Sequence, residues 1–233
     1  MDAFSNLVLG KCIGTKSSIK PTAFVNLNDI LEGGFPTGRL VEIYGRSQIG
    51  KSSLAISLFP NDLIVYIDLA RKLCADYITS NVMMSPTVNN QNVFELIHEI
   101  IKENIVIIID DLTMLGNIRN DSERFKWLMR NFMILQRELV STESLVIVLN
   151  QIRMSPTTGH SYNPHEGCLD AAIKIKMHHA EYLRDKGDLV YLDIEKHFWG
   201  QEEARCTLLV SKNKVEVPSF YRSVSLHEQG NIL

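Results

Sequence analysis

Three groups of residues in this chain have the types and spacing that chemistry needs. The first is Gly45-Arg46-Ser47-Gln48-Ile49-Gly50-Lys51-Ser52: glycine, four residues, glycine, lysine, serine. Glycine admits dihedrals that turn successive N–H groups toward one anion. A helix beginning near Lys51 adds unpaired N–H groups and the positive end of its dipole. Lys51 would then place a point charge on the β- and γ-phosphates, and the Ser52 hydroxyl can ligate Mg²⁺. This is the pattern of a nucleoside-triphosphate site. The second group is Asp110-Asp111, which ends the β-branched run 105–109. Such a run reads as a central parallel strand delivering a carboxylate to its C-terminal edge, where Asp110 would hold Mg²⁺ through water opposite Ser52.

The third group begins at Asn150-Gln151, after the buried strand expected over 144–149. A side-chain amide at the edge of a strand beside the phosphate strand can hydrogen-bond the γ-phosphate and pass the nucleotide state onward. The segment beyond it, RMSPTTGHSYNPHEG at 153–167, has little apolar content and no periodicity. A stretch that long without structure inside a compact domain is functional or disordered. It carries Arg153, His160, Tyr162, Asn163 and His165 and closes on Gly167, a mix able to grip phosphates and stack on bases.

Around these groups, periodicity and breakers predict the elements that position them. Residues 26–32 read as a short helix closed by a turn at 33–38, and 40–44 as the buried strand leading into the glycine-rich loop. The helix after the loop is brief because Pro60-Asn61-Asp62 stops it. A buried strand at 63–68, a helix at 70–78 and an irregular connection at 80–91 are expected next, then a helix at 94–101. Phe125, Leu128, Phe132, Leu135 and Leu139 mark a long amphipathic helix over 121–140, with Asn120 and Glu123 as its capping box. Strands at 172–177, 189–194 and 204–210 come next, the last two as a hairpin across 198–203. Lys212-Asn213-Lys214 at its end has the composition of a solvated turn.

The whole-chain numbers narrow the class. At 233 residues and 45% hydrophobic, the chain can bury one sizeable α/β core. Residues 1–20 read as an N-terminal arm or edge strand, with the core over 21–233. The apolar runs are too short to span a bilayer, and the N-terminus has no basic stretch followed by an apolar one. Cys12, Cys74, Cys168 and Cys206 lack a paired spacing, so a cytoplasmic protein with reduced thiols and no membrane partner is expected. Net charge is −3, which leaves DNA contact to local loops.

With these motifs in order, the chain resembles the bacterial RecA recombinase family from about Thr22 to its end. The resemblance is carried by TAFVNLNDILEGGFPTGRLVE at 22–42, VEIYG at 41–45, Asn150-Gln151-Ile152-Arg153-Met154, and Lys212-Asn213-Lys214-Val215 with Val217-Pro218. It implies a RecA-like P-loop ATPase core: a mostly parallel central sheet flanked by helices, with an antiparallel C-terminal extension. It further implies ATP and Mg²⁺ as ligands, with Gly45 to Ser52 and Ser53 around the nucleotide and Tyr77 as the purine contact. Gln151 resembles the γ-phosphate sensor, 153–167 the second DNA-binding loop, and 116–122 a shortened first one with Arg119 as its phosphate contact. Lys212 and Lys214 would reach across a subunit interface onto the neighbour's ATP. A head-to-tail homo-oligomer, filament or ring, on single-stranded DNA is the assembly implied, in a bacterial or phage-infected cytoplasm.

The chain also departs from that family. The glutamate that activates water after the strand equivalent to 63–68 is absent: Asp68-Leu69-Ala70-Arg71 stands there, with Ala70 at its ungapped place. Slow or absent hydrolysis is therefore expected, with Asp68 or Asp111 as substitutes. Most of the family's N-terminal docking helix and its C-terminal domain are also missing. Three functions are consistent with this pattern. They are an ATP-dependent recombinase in recombination and repair, a non-hydrolysing accessory paralog that loads another recombinase, and a ring helicase motor.

Overall fold

The computed structural model describes residues 18–73, 78–85, 92–115, 120–169, 172–183, 187–196, 204–211, 214–218 and 224–225. The predicted arm before residue 18, Tyr77, Arg119 and Lys212 lie outside the described residues. The first strands, β1 (Ile19–Lys20) and β2 (Phe35–Pro36), pair with each other around helix α1 (Val25–Ile30). Then come β3 (Arg39–Gly45), α2 (Lys51–Ser57), β4 (Ile64–Asp68), β5 (Val82–Met84), α3 (Val93–Ile100), β6 (Val106–Asp110), α4 (Asp121–Leu139) and β7 (Leu145–Gln151). A two-residue ladder, β8 (Arg153–Met154) with β9 (Ser161–Tyr162), stands apart from the main sheet. The chain continues as β10 (Ile173–Leu183), β11 (Gly187–Lys196), β12 (Ala204–Val210), β13 (Val215–Glu216) and β14 (Val224–Ser225).

The main sheet runs β13-β12-β11-β10-β3-β7-β6-β4-β5, with β14 also on β12. Every pairing from β10 to β5 is parallel, and β10 to β13 pair antiparallel. This is the predicted mostly parallel sheet with an antiparallel extension. Its central strands are apolar on both faces because both are covered. Val41, Ile43, Ile108 and Ile147 pack with α1 and α2 on one face. Leu40, Ile107, Val146 and Val148 pack with Phe94, Ile97, Phe132 and Leu135 of α3 and α4 on the other. The stripe on α4 is therefore core, and its N-cap is the predicted one: the Asn120 side chain accepts from Ser122 N and Glu123 N.

Two local expectations fail for identifiable reasons. The stretch expected to start a helix at 70 does not: among the described residues, 69–73 carry no helix, and Arg71 sits at φ +52° in the left-handed region. Asp68 holds the turn instead, its carboxylate accepting from Lys72 N (3.1 Å) and Leu73 N (2.8 Å). The connection at 80–91 is not wholly irregular, because Val82–Met84 adds a parallel edge strand to β4. A three-residue strand with one buried side chain has too short an alternation to read from sequence.

Candidate functional site

The glycine-rich loop leaves β3 at Gly45 and enters α2 at Lys51. A Cβ at Gly45 would sit 2.3 Å from the Met177 carbonyl of β10, so only glycine fits between those backbones. Gln48 (φ +63°) and Gly50 (φ +90°) both take left-handed dihedrals, the kind of curl that lets successive N–H groups converge on an anion. Gly50 meets a side-chain limit too: a Cβ there would lie 2.6 Å from Val210 Cγ1 at the end of β12. Ile49 points its side chain into the core, so its contribution to a bound phosphate is its backbone.

Lys51 is buried at the loop's mouth, its Nζ donating to the carbonyl oxygens of Arg46 (2.7 Å) and Gly45 (3.1 Å). Burial pushes its ammonium down to about 8, opposed by the negative charges of Asp110 and Asp111. Ser52 Oγ donates to Asp110 Oδ2 at 2.6 Å, joining the two predicted metal-holding groups across the ends of α2 and β6. A hydroxyl and a carboxylate are hard oxygen donors, which fits Mg²⁺; these two would hold it, and the ion would supply charge neutralisation between phosphate oxygens.

Tyr66 lies beneath this pair, unanticipated from the sequence. Its hydroxyl donates to the same Asp110 Oδ2 at 2.5 Å. β4 and β6 run in register with Tyr66 beside Ile108 and Asp68 beside Asp110, so the ring reaches the carboxylate diagonally. Burial, then the Asp110 charge, raise its hydroxyl pKa and keep it a donor. The signal was present as the one hydroxyl-bearing residue in LIVYID.

Gln151, half-buried at the end of β7, is paired in register with Gly45, and its Nε2 donates to Asp111 Oδ2 at 2.7 Å. Asp111 Oδ1 also accepts from the Thr113 N–H (2.8 Å) and the Thr113 hydroxyl. A cleft of about 350 Å³ is lined by Ser47, Lys51, Ser52, Asp110, Asp111 and Gln151, which gathers all three predicted groups at one sheet edge. Both candidate substitutes for the missing glutamate are engaged by the chain itself: Asp68 accepts from two backbone N–H groups, and Asp111 from Thr113 and Gln151.

Beyond Gln151 the structure separates the predicted DNA contacts. Arg153, His160 and Tyr162 are exposed, and the β8–β9 ladder sets Arg153 directly opposite Tyr162, a cation beside a ring. The segment is thus closed on itself instead of structureless. Asn163 and His165 depart from the expected outward grip. Asn163 donates inward to Glu42, and His165 is 4% exposed with Nδ1 3.2 Å from Asn150 Oδ1. Burial and the nearby Arg124 push His165 down to about 4, so it is neutral at pH 7 and supplies no cation to a phosphate. Gly167 (φ +90°) turns the chain beside Phe125.

Two further residues escaped the sequence reading. Arg124 donates to the carbonyls of Leu112 (2.9 Å), Thr113 (2.8 Å) and Leu115 (2.7 Å), clamping the turn after Asp110-Asp111. A basic residue in a helix's first turn opposes the dipole, and that misfit was its visible sign. Glu42, in the middle of β3, is 1% exposed. Lys214 is exposed and ion-paired with Glu216, and its carbonyl accepts from Ser211 N (2.8 Å).

No protein-family model matches the chain. Curated RecA proteins do: that of Petrotoga mobilis is 25% identical over 92% of this chain, and that of Mycoplasma genitalium is 24% identical over 84%. A plasmid-borne RecA of Lactococcus lactis is 22% identical over 80% of the chain. The chain spans 63% of the length of the first two relatives. A solved structure of the RadB recombinase superposes with a TM-score of 0.66 at 18% identity, covering 84% of this chain and 98% of that one, which shows a shared fold. Phosphate loop, Asn150-Gln151 pair, sheet order and relatives agree: the chain is similar in sequence to RecA proteins over most of its length and shares the fold of a solved recombinase.

Proposed function

We propose that this chain binds ATP with Mg²⁺ between protomers and uses it to control binding of single-stranded DNA, as a recombinase core in homologous recombination and repair. One observation supports this above the others: Gln151 lines the same cleft as Lys51, Ser52 and Asp110, and its chain continues at once into the exposed Arg153–Tyr162 ladder. A ligand competing for the Gln151 amide would move the residue from which that ladder springs. ATP acts here as a conformational ligand: it tightens DNA binding, and DNA reciprocally tightens ATP. Lys214, and with it Lys212, would complete a neighbour's site in a head-to-tail assembly. Titration of a labelled unpaired oligonucleotide with and without ATP–Mg²⁺ tests the reading. It expects ATP to raise affinity and steepen the salt dependence, and an unchanged slope and affinity would overturn it.

A second reading has its own observation. With Ala70 in place of the catalytic glutamate, and both Asp68 and Asp111 engaged elsewhere, the site is built to hold ATP better than to cleave it. That favours an accessory paralog that loads another recombinase. Size-exclusion chromatography with ATP and oligonucleotide separates the two: large assemblies support the recombinase, a persistent monomer the accessory.

A further inference from the structure

Glu42 and Asp111 are the most heavily buried carboxylates among the described residues, and Glu42 lines neither the nucleotide cleft nor the exposed ladder. Its Oε1 accepts from Asn150 Nδ2 (2.8 Å) and from Asn163 Nδ2 (3.1 Å). Asn150 spends its other N–H on Asn163 Oδ1 (2.8 Å), which also accepts from His165 N (3.0 Å). The Asn150 carbonyl faces Gln151 N (2.8 Å) and His165 Nδ1 (3.2 Å). Asn150 is fully buried, so its donors have no water to fall back on. Glu42 Oε2 has no hydrogen-bond partner among the described residues. A half-satisfied buried carboxylate is a costly way to fill a strand position that an apolar residue would fill more stably. What the carboxylate adds is one acceptor shared by two amides, one beside Gln151 and one at the far root of the 153–167 segment.

We propose that Glu42 is a positioning residue that ties both ends of the 153–167 segment to the phosphate-loop strand, so that a displacement of Gln151 is delivered to Asn163 and His165. Without the shared acceptor, Asn150 and Asn163 lose their common fixed point and the segment's return limb moves independently of its outgoing one. This deepens, and rests on, the reading that ATP controls DNA binding. The role is that of an acceptor, so Glu42→Gln, which keeps one amide oxygen at the same reach, should preserve it, whereas Glu42→Leu should not.

The test uses the full chain and measures the factor by which ATP–Mg²⁺ changes affinity for a fluorescent unpaired oligonucleotide, alongside ATP affinity in the absence of DNA. Wild type and Glu42→Gln are expected to share one coupling factor, while Glu42→Leu reduces it to about twofold or less with ATP affinity changed by no more than about threefold. Asn163→Ala, which cuts the same link from the other end, gives the same loss should Glu42→Leu not fold. Coupling retained in Glu42→Leu and Asn163→Ala, or lost equally in Glu42→Gln and Glu42→Leu, overturns the proposal. Limited trypsin digestion separates this from the functional reading. Cleavage after Arg153 should be faster in Glu42→Leu than in wild type and unchanged in Glu42→Gln, whether or not ATP affects DNA at all. Equal cleavage rates in all three overturn the tie itself.

Discussion

The glycine-rich loop at 45–52 and the polar segment at 153–167 leave adjacent parallel strands at the same sheet edge, with Gly45 and Gln151 in register. They are held in opposite ways. The first is shaped by its own backbone: left-handed dihedrals at Gln48 and Gly50, a close approach at Gly45 and a lysine folded onto its carbonyls. The second is held by an isolated two-residue backbone ladder at its exposed part and by a side-chain amide network at its root. A backbone-built loop presents one geometry to its ligand. A loop rooted through a few side-chain bonds can shift at its root at the cost of those bonds, which is what a responsive surface needs.

The contrast can be broken from either side. Lys51→Ala removes the buried cation of the first loop, and ATP affinity is expected to fall by about 100-fold, the worth of a charged hydrogen bond near 3 kcal/mol, in calorimetric titration. Tyr162→Ala acts on the second loop only: DNA affinity should drop by about 1–3 kcal/mol with ATP affinity unchanged, as read by fluorescence anisotropy. The contrast sharpens with pH. Lys51, held down to about 8, loses its charge as pH rises through that value, so ATP binding must then recruit a proton. Affinity should fall by up to about tenfold per pH unit above 8, with proton uptake detected by calorimetry in buffers of different ionisation heat. Tyr66→Phe is the smallest change. Asp110 loses one of two donors, and the Mg²⁺ concentration needed for half-maximal ATP binding should shift by about threefold, with no loss of fold by circular dichroism.

How far the sequence reaches depends on the range of the forces involved. Strands, the long helix and the phosphate loop were legible because apolar period and glycine spacing are local, and the Asn120 cap was read to the residue. The amide of Gln151 was placed correctly because a strand's end is fixed by its neighbours. What stayed hidden depends on partners far along the chain. Tyr66 and Glu42 sit in apolar runs and give no sign of the Asp110 or Asn163 they meet. His165 and Asn163 have the composition of an exposed loop, and only the fold turns them inward. Asp68 looked like a spare carboxylate, and only the turn after it shows both oxygens accepting from backbone N–H groups.

The contact between Gly50 and Val210 carries one more consequence. The end of β12 lies against the phosphate loop at Gly50, and the next residue, Ser211, donates its N–H to the Lys214 carbonyl. Val210, against Gly50, and Ser211, bonded to the Lys214 carbonyl, are consecutive residues. A pull on Lys214 from outside would therefore be felt at Gly50 as a change in how much room the loop has to curl.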